Sequence, residues 1–269
     1  MNILLLTSCN RIKQTLLSLS LNCQTIKEKF SIVIVDNSTI YQEDNICGQH
    51  QAEDPYNVVK PYNYCSDISL LHKAESEFRS YFPHIEEFKV IHSSPRLTKQ
   101  RGEATLIALG LAQASLIGNH TYKTEKNFCM KINGVSILKW DVISQLPNLL
   151  ENSDVLTYHR ANIGGYERST RVLACRPEIL SGILLKEGWY NWCDDNSGVC
   201  EQRFANIISR EIPDRINFTN QGDDSVLLEG AGAFDPLQAR AKIKNFIMEN
   251  NLRIDLPYIK EFMEGEIWE

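Results

Sequence analysis

Asn2-Ile3-Leu4-Leu5-Leu6-Thr7-Ser8-Cys9-Asn10-Arg11 and, one helical interval later, Ser31-Ile32-Val33-Ile34-Val35-Asp36-Asn37-Ser38 are the stretches whose reading decides the fold. Residues 3–6 and 31–35 are short apolar runs, rich in branched side chains, and each stops at polar turn formers. That is the pattern of a strand buried on both faces of a sheet. Between them, residues 13–21 carry Leu16, Leu17 and Leu21 at helical spacing. Strand, helix and strand in this order make a β-α-β unit and predict an α/β fold with a mostly parallel sheet.

Outward from this unit, residues 41–64 are polar and irregular, broken by Gly48, Pro55 and Pro61, and read as a loop-rich excursion. Residues 68–82 read as a helix and 88–92 as a strand. Residues 99–117 form the clearest amphipathic pattern, with Ala104, Ile107, Ala108, Leu111, Ala112 and Ser115 down one side. A strand is expected at 128–132, ending in the turn signal Asn133-Gly134. Later strands are expected at 155–159 and 171–175, helices at 203–209 and 236–249, and an acidic tail closes the sequence. No repeat, low-complexity tract or linker composition divides the chain, so residues 1–269 are expected to form one domain. Its halves would be a ligand-binding part at 1–139 and a second part at 140–269 that ends in a helical extension.

Hydrophobic residues make up 43% and charged residues 23%, an ordinary globular balance. A formal charge of −6 argues against a general nucleic-acid binder, which needs a basic face to displace counterions from phosphates. The apolar run at 3–6 is too short for a membrane span or the core of a signal peptide, and a cytoplasmic location is expected. Eight cysteines at 9, 23, 47, 65, 129, 175, 193 and 200 include no close Cys-x-x-Cys pair, which fits reduced, mostly buried thiols better than a zinc site. The six histidines show no ligand spacing, and no metal-binding residue is assigned.

Ligands of open α/β sheets bind beyond the carboxyl ends of the strands, here residues 7–11, 36–39 and 133–136. Each of these places is polar. An Asp at a strand end accepts hydrogen bonds from a ribose hydroxyl or a base N–H, and Arg11 suits a phosphate or fixes the first loop. Taken alone, Asp36-Asn37-Ser38 reads equally as a turn or a helix cap.

Read together, Leu-Leu-Leu-Thr-Ser-Cys-Asn-Arg at 4–11 and Ile-Val-Ile-Val-Asp-Asn-Ser at 32–38 resemble the start of family-2-type glycosyltransferases of the GT-A fold. The resemblance spans residues 1–139, thins over 156–204 and scarcely reaches the C-terminal portion. It implies a Rossmann-like sheet flanked by helices, with Thr7, Asn10, Arg11 and Asp36 holding the nucleoside of a nucleotide-sugar donor. Lys99-Gln100-Arg101-Gly102-Glu103-Ala104 resembles the family's helix start facing the diphosphate. The usual Asn is absent there, while Lys99 and Arg101 suit anionic oxygens; the same charges also fit a solvated first helical turn.

Met130-Lys131-Ile132-Asn133-Gly134-Val135-Ser136 falls where the family carries its Asp-x-Asp metal motif, and neither Asp is present. Mg²⁺ and Mn²⁺ prefer carboxylate oxygens, so Asn133 and Ser136 make a poor cage. The segment is similar to a Lys-Ile-x-Gly variant among bacterial surface-polysaccharide transferases. That similarity implies that Lys131 neutralises diphosphate as a point charge and that Asn133 also lies at the donor; a strand-end surface Lys is the plainer alternative. No cofactor is assigned, and Mn²⁺ or Mg²⁺ enters only if other carboxylates rebuild a metal site. Past the midpoint, Glu201-Gln202-Arg203-Phe204-Ala205 lies where the family has an acidic acceptor-side motif at a helix start. Glu201 is therefore the expected base for an acceptor hydroxyl, or else a helix-start carboxylate favoured by the dipole. Asp194-Asp195 and Asp223-Asp224 compete as base, metal ligands or loop charges.

The resemblance thus implies transfer of a sugar, with inversion weakly favoured, from a nucleotide-diphosphate sugar to a hydroxyl of a glycan or lipid-linked glycan in surface polysaccharide or glycoconjugate synthesis. The alternatives are a degenerate relative that only binds nucleotide sugar or a partner enzyme, and a sugar nucleotidyltransferase. The last lacks its Gly-rich first loop here.

Overall fold

A computed structural model of the chain describes residues 1–8, 11–38, 68–93, 99–118, 126–159, 168–187, 200–228 and 236–265, with backbone alone at 99–102, 187, 200, 201, 236 and 237. The opening unit is β1 (Asn2–Ser8), α1 (Ile12–Thr25) and β2 (Phe30–Asp36), and both strands are buried at every residue. There follow α2 (Ser69–Tyr81), β3 (Ile85–His92), α3 (Lys99–Leu116) and β4 (Phe128–Asn133). The second half holds β5 (Ile137–Leu138), a short α4 (Leu146–Leu149), β6 (Val155–His159), β7 (Arg168–Cys175), α5 (Pro177–Glu187) and α6 (Cys200–Glu211). It closes with β8 (Ile216–Gly222), β9 (Leu227–Leu228), α7 (Pro236–Glu249) and α8 (Pro257–Glu264).

Seven strands form one sheet in the order β3-β2-β1-β4-β7-β6-β8, while β5 and β9 pair separately. β7 is antiparallel to both of its neighbours, and the other six strands all point the same way. The fold is α/β with a mostly parallel central sheet flanked by helices. Because β4 of the first half pairs with β7 of the second, both halves share this sheet.

Alternation along the strands sorts the core into two layers. Leu4, Leu6, Ile32, Ile34, Met130 and Ile132 face α1, α2, α7 and α8, while Ile3, Leu5, Val33, Val35, Cys129 and Leu173 face α3, α5 and α6. The expected one-sided burial of α3 is corrected by this packing. Residues 104–108, 110, 111 and 114 are all buried, while Ala112 and Ser115 are only half-buried. The helix lies between the sheet and α5, so both of its sides need small or apolar residues. Gly110 shows how close the approach is, since a Cβ there would stand 2.4 Å from a Leu5 methyl.

Three larger elements escape the sequence reading. α5 opens with Pro177 at its first position and carries Glu178 in its first turn, a start signal that was overlooked. β8 is an edge strand in which only Ile216 and Phe218 pack on the core before the sequence turns polar, and β7, which the sequence did place, begins three residues before the expected start. The acidic tail contains α8, whose Tyr258, Ile259 and Phe262 are buried, with Lys13 of α1 paired to Glu261 at 3.2 Å. Residues 41–64 lie outside the described residues. Among those described, Cys23, Cys129 and Cys175 are free and buried, and no helix is long and apolar enough to cross a membrane.

At the amino edge of the sheet one carboxylate ties three strands. Asp154, 2% exposed, forms an ion pair with Arg176, its Oδ1 3.1 Å from Nε, and accepts a hydrogen bond from Arg215 Nη2 at 2.6 Å. Its own backbone N–H donates to Arg215 O at 2.7 Å, and its carbonyl accepts from Arg176 N at 2.8 Å. The Arg176 guanidinium also donates to Leu150 O at 3.1 Å and lies 5.1 Å from the centre of the Phe128 ring. Asp154→Ala leaves Arg176 buried without its counter-charge and is expected to destabilise the fold by about 3–5 kcal/mol. Urea unfolding measures this, and a change below about 1 kcal/mol would show that Arg176 does not depend on Asp154.

Candidate functional site

The parallel strands bring the polar strand ends to one edge. Thr7 pairs with Asn133, Ser8 with Asp36, and Asp36 with His92, so residues far apart in sequence stand in one transverse row. β1 is the switch point of the sheet, because the chain moves outward from it to β2 and β3 and then returns to its other side as β4. Such a crevice is where open α/β sheets bind ligands.

Asp36 ends β2 fully buried. Its Oδ1 accepts from Ser38 N at 2.8 Å, its Oδ2 accepts from Ser38 Oγ at 2.9 Å, and His92 Nδ1 lies 3.5 Å from Oδ1. Burial raises the Asp36 carboxyl above its ordinary range, against the pull of the Ser38 N–H, the Ser8 and Ser38 hydroxyls and His92. Next to it, Asn37 Oδ1 is a buried acceptor with no partner among the described residues. On the other flank Ser8 Oγ and Thr15 Oγ1 are 3.0 Å apart.

A second cluster lies between β1, β4, β7 and the start of α3. The Lys131 side chain is wholly buried. Its Nζ donates to Asn133 Oδ1 at 2.7 Å and to the carbonyl of Thr170, and it stands 3.7 Å from Glu103 Oε1. Thr170 Oγ1 donates to that same Glu103 oxygen at 2.9 Å. Thr7 Oγ1 donates to Asn133 Oδ1 at 3.5 Å, and Gly134 N donates to Thr7 O at 2.7 Å. Gly134 permits this approach, because a Cβ there would meet Thr15 Oγ1 at 2.7 Å and the Thr7 carbonyl at 3.1 Å.

Beyond β7, Asp223 follows the carboxyl end of β8 and is 1% exposed. Ser169 Oγ donates to its Oδ2 at 2.8 Å, and Arg171 Nη1 lies 3.7 Å away. The β5–β9 pair returns the chain after Asp223 to the segment after Asn133.

Thr7, Asp36 and Asn133 are thus brought together at one edge. Lys131 adjoins them, but its hydrogen bonds are made inside the protein, and a direct contact with diphosphate would require it to leave those partners. Arg11 is the cap residue of α1, its carbonyl accepting from Thr15 N at 2.8 Å. Lys99 and Arg101 lie in the first turn of α3 and Glu201 in the first turn of α6, with their side chains outside the described residues. Asn10, Asp194 and Asp195 also lie outside them. Sequence reasoning missed Glu103, Ser169, Thr170 and Arg171. Glu103 was visible inside the 99–104 motif without a role, and the polar Ser-Thr-Arg run that opens β7 was the overlooked signal.

At the position of the absent Asp-x-Asp motif the donor set does not fit a divalent ion. Asn133 Oδ1 already accepts from an ammonium, Thr7 supplies only a neutral hydroxyl beside it, and Lys131 would repel a second cation. Among the described residues, no group of three or more His, Cys, Asp and Glu side chains is placed to hold a metal.

No protein-family model and no curated protein sequence matches this chain. Among solved structures, the glycosyltransferase GlyE of Streptococcus pneumoniae TIGR4 aligns over 95% of this chain and 53% of its own, at 10% identity and a TM-score of 0.47. TarS 1–349 of S. aureus in complex with UDP aligns over 99% of this chain and 71% of its own, at 11% identity and a TM-score of 0.47. The bifunctional glycosyltransferase WbbM aligns over 99% and 52%, at 10% identity and a TM-score of 0.49. The chain spans about half the length of the GlyE and WbbM structures.

The raised Asp36 carboxyl has a consequence for stability. A carboxyl that holds its proton more tightly when folded makes stability fall as pH rises from the unfolded value to the folded one, and the loss is complete above that window. Asp36→Asn removes the buried charge while keeping an acceptor for Ser38 N. The variant is expected to be at least as stable as the parent at pH 7 and to lack the parent's decline between the unfolded and folded values of that carboxyl. Denaturant unfolding across pH checks this. A less stable variant at pH 7 would mean that the hydrogen bonds to the charged form outweigh its desolvation.

Proposed function

We propose that this chain is a glycosyltransferase that moves a sugar from a nucleotide-diphosphate sugar to a hydroxyl of a glycan or lipid-linked glycan. The observation that carries the reading is the register of Thr7, Asn133, Ser8 and Asp36 at the switch point of the sheet. Independent sequence motifs converge there on the place where this architecture binds ligands. The fully buried carboxylate of Asp36, kept at a cost in desolvation, suits the recognition of a ribose hydroxyl or base N–H. Asn37 Oδ1 is a second acceptor that a base N–H would satisfy.

Transfer requires the leaving diphosphate to be stabilised and the acceptor hydroxyl to be deprotonated on the opposite side of the anomeric carbon. In this reading the start of α3 receives the diphosphate through its backbone N–H groups with Lys99 and Arg101. Glu201, in the first turn of α6, takes the acceptor proton as the attacking oxygen bonds to the anomeric carbon and the diphosphate oxygen departs. Inversion at that carbon follows from a single displacement. Because the donor set at Asn133 does not suit a divalent ion, no step is assigned to one.

The test is turnover of a panel of nucleotide sugars, with and without chelator. Activity that survives chelator is expected, and full loss with rescue by Mn²⁺ would show that carboxylates elsewhere build a metal site. Binding without turnover would favour a protein that only holds nucleotide sugar. Asp36→Ala is expected to weaken nucleotide binding by about 1.5–3 kcal/mol, the range for a hydrogen bond to a charged group, and calorimetry at constant fold would reveal an unaffected affinity. Glu201→Gln is expected to lower turnover by about 10²–10⁴-fold with donor affinity nearly intact. Near-normal turnover, or a product that retains the donor's anomeric configuration, would remove Glu201 from this role.

A further inference from the structure

Lysine carries three donors and no acceptor, so whatever faces its ammonium must present an oxygen. Lys131 Nζ lies 2.7 Å from the Asn133 amide, and the end that faces it is therefore Oδ1. Thr7 Oγ1 donates to the same oxygen at 3.5 Å. With Oδ1 engaged from two sides, Nδ2 becomes the free end of the amide. Among the described residues it has no acceptor, although Asn133 is partly exposed and stands in the carboxyl-edge row. Glu103 balances the buried ammonium, and Thr170 holds both through its carbonyl and hydroxyl.

We propose that Lys131 is a positioning residue that turns the Asn133 amide so that its N–H₂ group donates to a phosphate oxygen of a nucleoside diphosphate. The inference rests on the nucleotide-sugar reading above and assigns the chemistry of its diphosphate end. A side-chain oxygen aimed into this crevice would repel a diphosphate unless a cation lay between them. An amide N–H₂ meets the same oxygen directly. Glu103 belongs to α3, so the positive end of that helix dipole is held against the same cluster and favours an anion over a neutral hydroxyl. Lys131 acts through Asn133, since its own charge is matched by Glu103 and its side chain does not reach the surface.

The experiment is calorimetric titration of the full chain, in chelator, with uridine, guanosine, cytidine, adenosine and thymidine diphosphates. Whichever binds is then titrated into three variants and one combination. Asn133→Asp keeps size and the acceptor for Lys131 but replaces the outward N–H₂ with an oxygen, and a loss of affinity of about 10-fold or more is expected for removing a hydrogen bond to a charged partner. Lys131→Met is expected to weaken binding in the parent but to add nothing in an Asn133→Ala background, the signature of two residues acting as one unit. Undiminished affinity in Asn133→Asp overturns the proposal, and should Lys131→Met fail to fold, that variant alone decides. A Lys131→Met loss equally large in both backgrounds overturns the positioning role in favour of direct contact. If the parent binds none of the five diphosphates either in chelator or with Mn²⁺, the nucleotide-sugar reading fails and takes the inference with it, whereas binding that appears only with Mn²⁺ overturns the inference alone. Binding by the parent with unaffected variants refutes the inference alone.

Discussion

Two parallel partners hold β1 along its length, and that pairing forces every connection among the first four strands to cross a face of the sheet. Parallel strands cannot be joined by a hairpin, so α1 must cover one face and α3 the other. All four strands then deliver their carboxyl ends to a single edge. Thr7, Asp36, His92 and Asn133 are neighbours for this reason alone, being the last or next-to-last residues of four strands in register.

The antiparallel β7 completes the edge from the other side. By running against β4, it brings its polar first residues, Ser169 and Thr170, to the end where β4 finishes, and carries Cys175 and Arg176 to the end where β4 starts. A buried charge stands at each extremity. Lys131 and Glu103 meet Thr170 at the carboxyl edge, whereas Asp154 meets Arg176 and Arg215 at the amino edge. Charges this deep persist only when each has a partner, and each has one here, although Nε and Nη1 of Arg176 make no hydrogen bond among the described residues. They also make the register of β7 hard to change, since a slip of one residue would separate the partners and turn its apolar residues to the wrong faces.

The two clusters differ in what they leave available. The amino-edge group leaves only buried donors, Nε and Nη1 of Arg176, without a hydrogen bond among the described residues, and its exposed member, Arg215, leads into the start of β8. At the carboxyl edge, Asn37 Oδ1 lacks a partner among the described residues, and the Asn133 amide has one end engaged and one end free. Asp36 is buried despite the desolvation that raises its carboxyl. These costs fall on the same edge of the sheet to which the proposed function assigns binding.

The sequence alone determined the β-α-β opening, the parallel character of the sheet and the polar strand ends, because these depend on local periodicity and on where apolar runs stop. Residues 236–249 were read as the helix that α7 is, and the same logic located β1, β2, β4 and β6 to within a few residues. β8 left only a short mark, because the alternation of Ile216 and Phe218 with Asn217 and Thr219 stops after one period at the polar run 219–221. The burial of α3 on both sides was also invisible, since it depends on α5 packing over it from 60 or more residues away. Lys131 makes the division plainest. Its residue type and place in a strand were legible, but whether its ammonium faced a ligand or the interior depended on Glu103 and Thr170. Those partners come from a helix and a strand that only the closed sheet sets beside it, and a charge takes its role from what surrounds it in space.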